Sequence, residues 1–592
     1  MGNWRGAKSA DSVGTHRRLT AVRAAVTAIC IALLAGVLLV ALTSGAAAVG
    51  VAGVTATPLD HTNTATPLDD ANGTVEVVVR FTPIETPADL GAVDADGTSA
   101  TTATSEMANT SGTAATSEDH RDAVVDDLRE HAAAEQGAFA EFAAAREGVT
   151  VERKLWLANA MVVTVDTDAV SASALLSVQN VTAVHENVEI EPVGGASSAP
   201  SGSSTTPRPR TAAPAQITAD PSGRTTAGLR QIDVPAAWER FGTRGAGATV
   251  AVIDTGADSR HQDIDLDGWA AFDQQGALVS DDLADAGDSD GHGTHVAGTV
   301  AGGNASGTHI GVAPAAELHA IDVFAENETA TFAGVIAAME YATTDGDADV
   351  LQMSLGAPGA FREFVAPVRN ARAAGAIVVV AAGNEGENTS TSPGNVHDAL
   401  AVGAVNRDRE VPPFSSGESV NATAAFETYP DDWPDRYVVP DVTAPGVGVV
   451  SAEANTTATY VQRQGTSMAA PHVAGVAALA VAATDGRVDD ATLQAAIVET
   501  AIHPANATAP DDRYGHGVVD APAAVGEAVE RTTPEPSATD EAEGNVETGG
   551  TDSDPPDGGA ATDGATPGFG PVPALVALVV AAAFAPVGVR DP

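Results

Sequence analysis

"TVAVIDTGAD", Thr249 to Asp258, runs four apolar residues together, ends them on an acid and breaks into Thr-Gly. An unbroken apolar run, in place of apolar-polar alternation, predicts a strand buried on both faces. The same grammar returns in "ELHAIDVF" (Glu317–Phe324), "DVLQMSLG" (Asp349–Gly356), "AIVVVAAGN" (Ala376–Asn384) and "ALAVGAV" (Ala399–Val405), with helical stretches between. Buried strands alternating with helices predict an α/β fold: a doubly wound, mainly parallel sheet with helices on both faces, over residues 228–526. In that architecture chemistry gathers at the carboxyl ends of the strands.

Polar residues stand at those ends. Asp254 closes the first run, His292 sits between glycines in "DSDGHGTHVAGT" (Asp288–Thr299), and Asn384 closes "AAGN". Ser467 precedes the small-residue segment "MAAPHVAGVAALAVAA" (Met468–Ala483), a stretch without a polar face that predicts a buried helix starting beside the serine. Pro471 is expected in its first turn, where a missing N–H costs nothing. Taken singly, each residue has a plain reading as a turn, loop or helix cap. Jointly, an acid, an imidazole, a hydroxyl at a helix N-terminus and a side-chain amide supply every part of an acyl-transfer site.

With "SLG" (Ser354–Gly356), "AVGAV", "TAPG" and "YGHGVVDA" in their places, residues 228–524 resemble the subtilisin-like serine protease family. The resemblance implies a serine endopeptidase with Ser467 as nucleophile, His292 as general base and Asp254 as its orienting acid. It makes His295 structural and Asn384, with the Ser467 N–H, the oxyanion donor. It implies that Ser354, Leu355 and Gly356 pair with an extended polypeptide substrate, while Ala382 and Gly383 line the first specificity pocket. In the family that pocket favours apolar or aromatic residues. The resemblance implies no catalytic metal but a structural Ca²⁺, with Asp263 at one ligand position and Ala305 where a side-chain ligand is usual. The acidic loop bearing Asp281, Asp282, Asp285, Asp288 and Asp290 is a second place for an ion or a solvated acidic face. A different reading is a surface adhesin or scaffold that kept the fold and lost the activity; a third is a processing protease dedicated to one partner.

Charge sets the surroundings. The 592-residue chain carries 79 acidic against 29 basic residues, a formal charge of −50, and only two lysines, Lys8 and Lys154. Such a surface is similar to that of halophilic archaeal members of the family, whose self-repulsion molar salt screens. It also argues against nucleic acid as a partner. The single cysteine, Cys30, excludes an intramolecular disulfide.

The domain expectations follow the composition. Residues 1–50 contain the apolar run Ala24–Leu42 behind Arg17 and Arg18, which reads as a signal peptide or an N-terminal membrane segment. Residues 51–195 read as a small α+β domain with a Thr/Ser/Ala insert; it resembles the family's propeptide, which implies that it serves as intramolecular inhibitor. Residues 196–227 form a linker, and 527–566 an acidic Thr/Pro/Gly-rich stalk. Residues 567–592, with Pro567-Gly568-Phe569 before an apolar stretch, resemble an archaeal sorting signal. This implies an exported protein held at the cell surface through a membrane segment, retained or processed.

Overall fold

The computed structural model describes residues 73–84, 117–193, 224–325, 329–504 and 508–533. The expectations for the N-terminal apolar run, the low-complexity insert, most of the linker, the stalk and the C-terminal membrane segment lie outside these residues.

The chain opens with an antiparallel sheet. Its strands are β1 (Thr74–Phe81), β2 (Val149–Leu155), β3 (Ala160–Asp166) and β4 (Val181–Glu186), in the order β2-β3-β1-β4, with helix α1 (Ser117–Ala144) alongside. Alternation along β1 divides its side chains: Val77, Val79 and Phe81 pack with Phe139, Met161 and Leu175, whereas Val78 and Val162 join the core of the larger sheet. A short strand, β5 (Glu189–Pro192), then leaves this sheet.

The larger sheet comprises β6 (Thr249–Asp254), β7 (Gly268–Phe272), β8 (Leu278–Ser280), β9 (Glu317–Asp322), β11 (Val350–Met353), β13 (Ile377–Ala381), β15 (Leu400–Val405) and β18 (Val442–Pro445). Its order, β18-β15-β13-β11-β6-β9-β7-β8, is parallel throughout except for the β7–β8 pair. Along β6, Val250 and Val252 face one core while Ala251 and Ile253 face the other. Helices α2 (His292–Ala301) and α5 (Thr466–Ala483) cover the first face; α3 (Phe332–Thr343) and α4 (Val365–Ala373) cover the second. The unbroken apolar runs are thus explained, because both faces of these strands lose water. Further short strands are β10 (Ala330–Thr331), β12 (Leu355–Pro358), β14 (Thr391–Ser392), and the antiparallel pair β16 (Glu418–Asn421) and β17 (Arg436–Val439).

Helix α5 is apolar enough to cross a membrane, yet 89% of it is buried within the fold. It begins at Thr466, earlier than expected, so Pro471 is its sixth residue and not part of the first turn. The proline removes the N–H that would reach back to the Ser467 carbonyl. The Ser354 hydroxyl supplies that carbonyl's missing donor at 2.9 Å, and is itself fixed by Gln352 Nε2 at 2.7 Å. A residue of the expected substrate edge therefore also holds the helix carrying Ser467.

Candidate active site

Asp254 and His292 lie far apart in sequence and meet because two backbones approach unusually closely. A side-chain carbon on Gly293 would stand 2.0 Å from the Gly256 oxygen, so only glycine allows the motif after β6 to pack on the start of α2. The His292 Nδ1–H donates to Asp254 Oδ1 at 2.7 Å, and the Thr255 N–H donates to the same oxygen at 2.8 Å. Both side chains are buried. Burial alone would lower the His292 pKa, but the adjacent Asp254 charge and hydrogen bond outweigh it, and the net shift is upward. The Nε2 atom, which faces the reaction in a triad, makes no hydrogen bond.

A residue assigned above to a possible cation loop has another role. Buried Asp288 accepts from Thr255 Oγ1 (3.0 Å), the Gly291 N–H (2.7 Å), the Thr294 N–H (2.8 Å) and the Thr294 hydroxyl (2.6 Å). It ties the turn after Asp254 to the first turn of the histidine helix. Burial pushes its pKa up, opposed by these donors. The signal available in sequence was its place four residues before His292, where an acid complements a helix N-terminus. His295 is held by the Val449 carbonyl at 3.1 Å, and burial depresses its pKa to about 3, consistent with a neutral packing role.

Ser467 sits in the first turn of α5, where backbone N–H groups have no partner within the helix. Its hydroxyl does not reach His292. It donates instead to the carbonyl of Val193, which also accepts from Asn384 Nδ2 at 3.0 Å. Asn384 cannot turn its amide over without loss, because Oδ1 is occupied by the Thr466 N–H at 2.9 Å and by the Thr466 hydroxyl at 3.1 Å. Thr466 was not singled out from sequence, since nothing in the motif says that a neighbour sets the amide's orientation.

Val193 belongs to the chain's own extended segment. Its N–H donates to the Ser354 carbonyl at 2.9 Å, while Pro192 and Glu191 of β5 pair antiparallel with Leu355 and Gly356 of β12. On the other side Ile190 and Glu189 pair with Ala330 and Thr331 of β10. The expected substrate edge thus receives a strand, and that strand is residues 189–193. Ala382 and Gly383 are buried beside it at the end of β13.

Asp263 does not present free ligand atoms. Its Oδ1 accepts the Ala305 N–H at 2.5 Å and its Oδ2 accepts the Tyr460 hydroxyl. An ion there would have to displace the tyrosine, and Ala305 offers no side-chain replacement. Within the acidic loop, Asp282 caps a 3-10 turn, Asp285 accepts from Ser280 and Asp290 accepts the His292 N–H. Among the described residues no three His, Cys, Asp or Glu side chains converge as a metal site. As they stand, the carboxylates of Asp263, Asp282, Asp285 and Asp290 are engaged in hydrogen bonds, and no step below depends on a Ca²⁺ ion.

The fold and the Asp254–His292 pair define a serine-peptidase type of site, and sequence comparison agrees. The profile described as Subtilase family, peptidase S8, matches residues 245–517. Subtilisin DY from Bacillus licheniformis is 38% identical over 242 residues, covering 40% of this chain and 78% of that protein. Subtilisin Savinase from Lederbergia lenta is 36% identical over 252 residues, 43% of this chain and 82% of that protein. Subtilisin E from Bacillus subtilis is 38% identical over 256 residues, 43% of this chain, and there the match spans 60% of the relative's length. The chain belongs to the subtilase family.

Proposed function

We propose that this chain is a serine endopeptidase that first cuts itself after Val193 and then cleaves other polypeptides in the same cleft. One observation carries the reading: the Val193 carbonyl is held by the Ser467 hydroxyl and Asn384 Nδ2, the two groups that such a reaction places on the carbonyl it attacks. In the reaction Ser467 Oγ adds to the carbonyl carbon and its proton passes to His292 Nε2. Asp254 holds the other ring nitrogen and stabilises the resulting cation. Charge gathers on the carbonyl oxygen, which Asn384 Nδ2 already meets and which the Ser467 N–H would stabilise with it. Collapse breaks the C–N bond as His292 gives its proton to the leaving amine; water, activated by the same imidazole, then releases the acyl group from Ser467.

While residues 189–193 occupy the cleft, external peptides are shut out, which supports the reading of residues 51–195 as an intramolecular inhibitor. A surface of charge −50 supports activity in molar salt. The sequence features at the two ends support export and retention at the cell surface. The test is a serine-directed phosphonate followed by peptide mapping. We expect one adduct, on Ser467, and parallel loss of peptide hydrolysis in high salt; hydrolysis that survives complete Ser467 modification refutes the reading, and a folded chain that takes up no phosphonate and hydrolyses no peptide favours the retained-fold alternative.

A further inference from the structure

The cleft also carries information about which bond is cut. Val193 supplies the carbonyl at Ser467 and is only 6% exposed, so its side chain is enclosed by the site. Two glycines stand on the segments that hold this strand: Gly356, the last of the substrate-pairing residues and opposite Glu191, and Gly383, next to Asn384. Their missing side chains would leave a slot, but the space between them is filled. A side-chain carbon on Gly356 would lie 2.8 Å from the Ser392 carbonyl oxygen, 3.2 Å from Thr391 Oγ1 and 3.3 Å from Thr391 Cβ; one on Gly383 would lie 2.7 Å from both Glu385 Oε2 and Ser416 Oγ and 3.0 Å from Thr391 Cγ2, so of these neighbours Thr391 is the one that meets both glycines. Thr391 is 1% exposed, and its N–H donates to the Ala382 carbonyl at 3.2 Å, so the residue blocking the slot is fastened to the slot's own wall.

We propose that Thr391 is a specificity-determining residue that makes the first pocket shallow, directing cleavage to bonds that follow a small branched aliphatic residue such as valine and excluding the aromatic residues expected from the family. The inference rests on the peptidase reading and adds a substrate class to it. Physically, β-branched Thr391 is stiff at χ1 and lies in β14, so it cannot swing aside cheaply to admit a ring. Removing its three heavy atoms opens the slot, and pocket volume of this kind alters selectivity by roughly 10- to 200-fold per methylene.

The experiment compares kcat/KM of the full-length chain, matured by its own processing, on Ile-Glu-Pro-Val-p-nitroanilide and Ile-Glu-Pro-Phe-p-nitroanilide, with active enzyme counted by phosphonate titration. The wild type is expected to favour valine by roughly tenfold or more, and Thr391→Gly to favour phenylalanine. Thr391→Ala, which keeps a Cβ and the strand's φ preference, should fall between and serves if the glycine variant does not fold. A wild type that titrates fully but prefers phenylalanine overturns the inference and leaves the peptidase reading intact. An unchanged ratio in both variants overturns it as well. A chain that takes up no phosphonate and cuts neither substrate overturns the peptidase reading, and the inference with it.

Discussion

The two sides of the cleft are built differently. On the catalytic side, Asp254 and His292 are locked by contacts confined to the turn after β6 and the first turn of α2, with Asp288 accepting four donors from those same two segments. On the substrate side, the strand seated in the cleft comes from residues 189–193, and its partners Thr331, Ser354, Asn384 and Ser467 are scattered over the next 274 residues. The first side is buried and made largely by side chains; the second is read mainly through backbone groups. A site whose chemistry is rigid and whose binding edge reads main chain can act on many sequences, with discrimination left to the pockets where side chains enter.

The sharpest break in this comparison is Asp254→Asn, which leaves the substrate side untouched. By analogy with the corresponding loss in subtilisin itself, kcat should fall about 10⁴-fold with KM little changed. The pH profile should move too. His292 works as a base only when neutral, so kcat/KM falls as pH drops through its pKa, which Asp254 holds above the usual 6.5. With the Asp254 charge gone, burial, the largest influence, and the Arg463 charge act against the smaller pull of Asp290, and the acidic limb should move to lower pH. A profile that keeps its limb would show that Asp254 does not tune the imidazole.

Asn384→Ala tests the point where the two sides join. The oxyanion donor disappears while the His292–Asp254 pair stays, and kcat should fall roughly 10²–10³-fold, again the size known for subtilisin, with KM nearly constant. A change confined to KM would assign Asn384 to binding alone.

The smallest effect concerns how the N-terminal sheet is held after the cut. Buried Glu340 of α3 accepts the Leu157 N–H at 2.9 Å, and Asn370 of α4 donates to the Leu157 carbonyl at 2.8 Å. Burial pushes the Glu340 pKa up to about 8, against the pull of the Leu157 N–H and the Arg153 and Arg129 charges. A raised acid favours the docked state below its free pKa, and that advantage is lost as pH rises through the docked value. Inhibition by the separated N-terminal piece should therefore weaken as pH climbs from about 5 to about 8. Glu340→Gln, which never ionises, should flatten the dependence; inhibition constants measured across that range decide it.

What could be read from the sequence follows the same division. The parallel sheet was legible because β6, β13 and β15 lose water on both faces and so are apolar almost throughout, with shorter apolar runs in β9 and β11. Asp254, His292, Asn384 and Ser467 were legible because each stands at a glycine-marked element end. Thr466 and Thr391 were not, since an orienting hydroxyl and a pocket floor depend on which distant backbone comes to lie beside them. Pro471 was placed a turn too early because the helix start depends on Ser354, over a hundred residues away, which caps the carbonyl the proline leaves open. The hydrogen bond from Tyr460 to Asp263 was likewise not legible, since no local feature brings residues 197 positions apart together.

The central claim is that residues 189–193 lie in the cleft as the enzyme's first substrate. Intact-mass measurement and N-terminal sequencing of the full-length chain and of Ser467→Ala, both made in high salt in a host lacking related proteases, test it directly. The account predicts a mature protein beginning at Gly194 for the wild type and an uncut chain for the variant. Cleavage after Val193 in Ser467→Ala, or a wild-type terminus created at another bond, would contradict it.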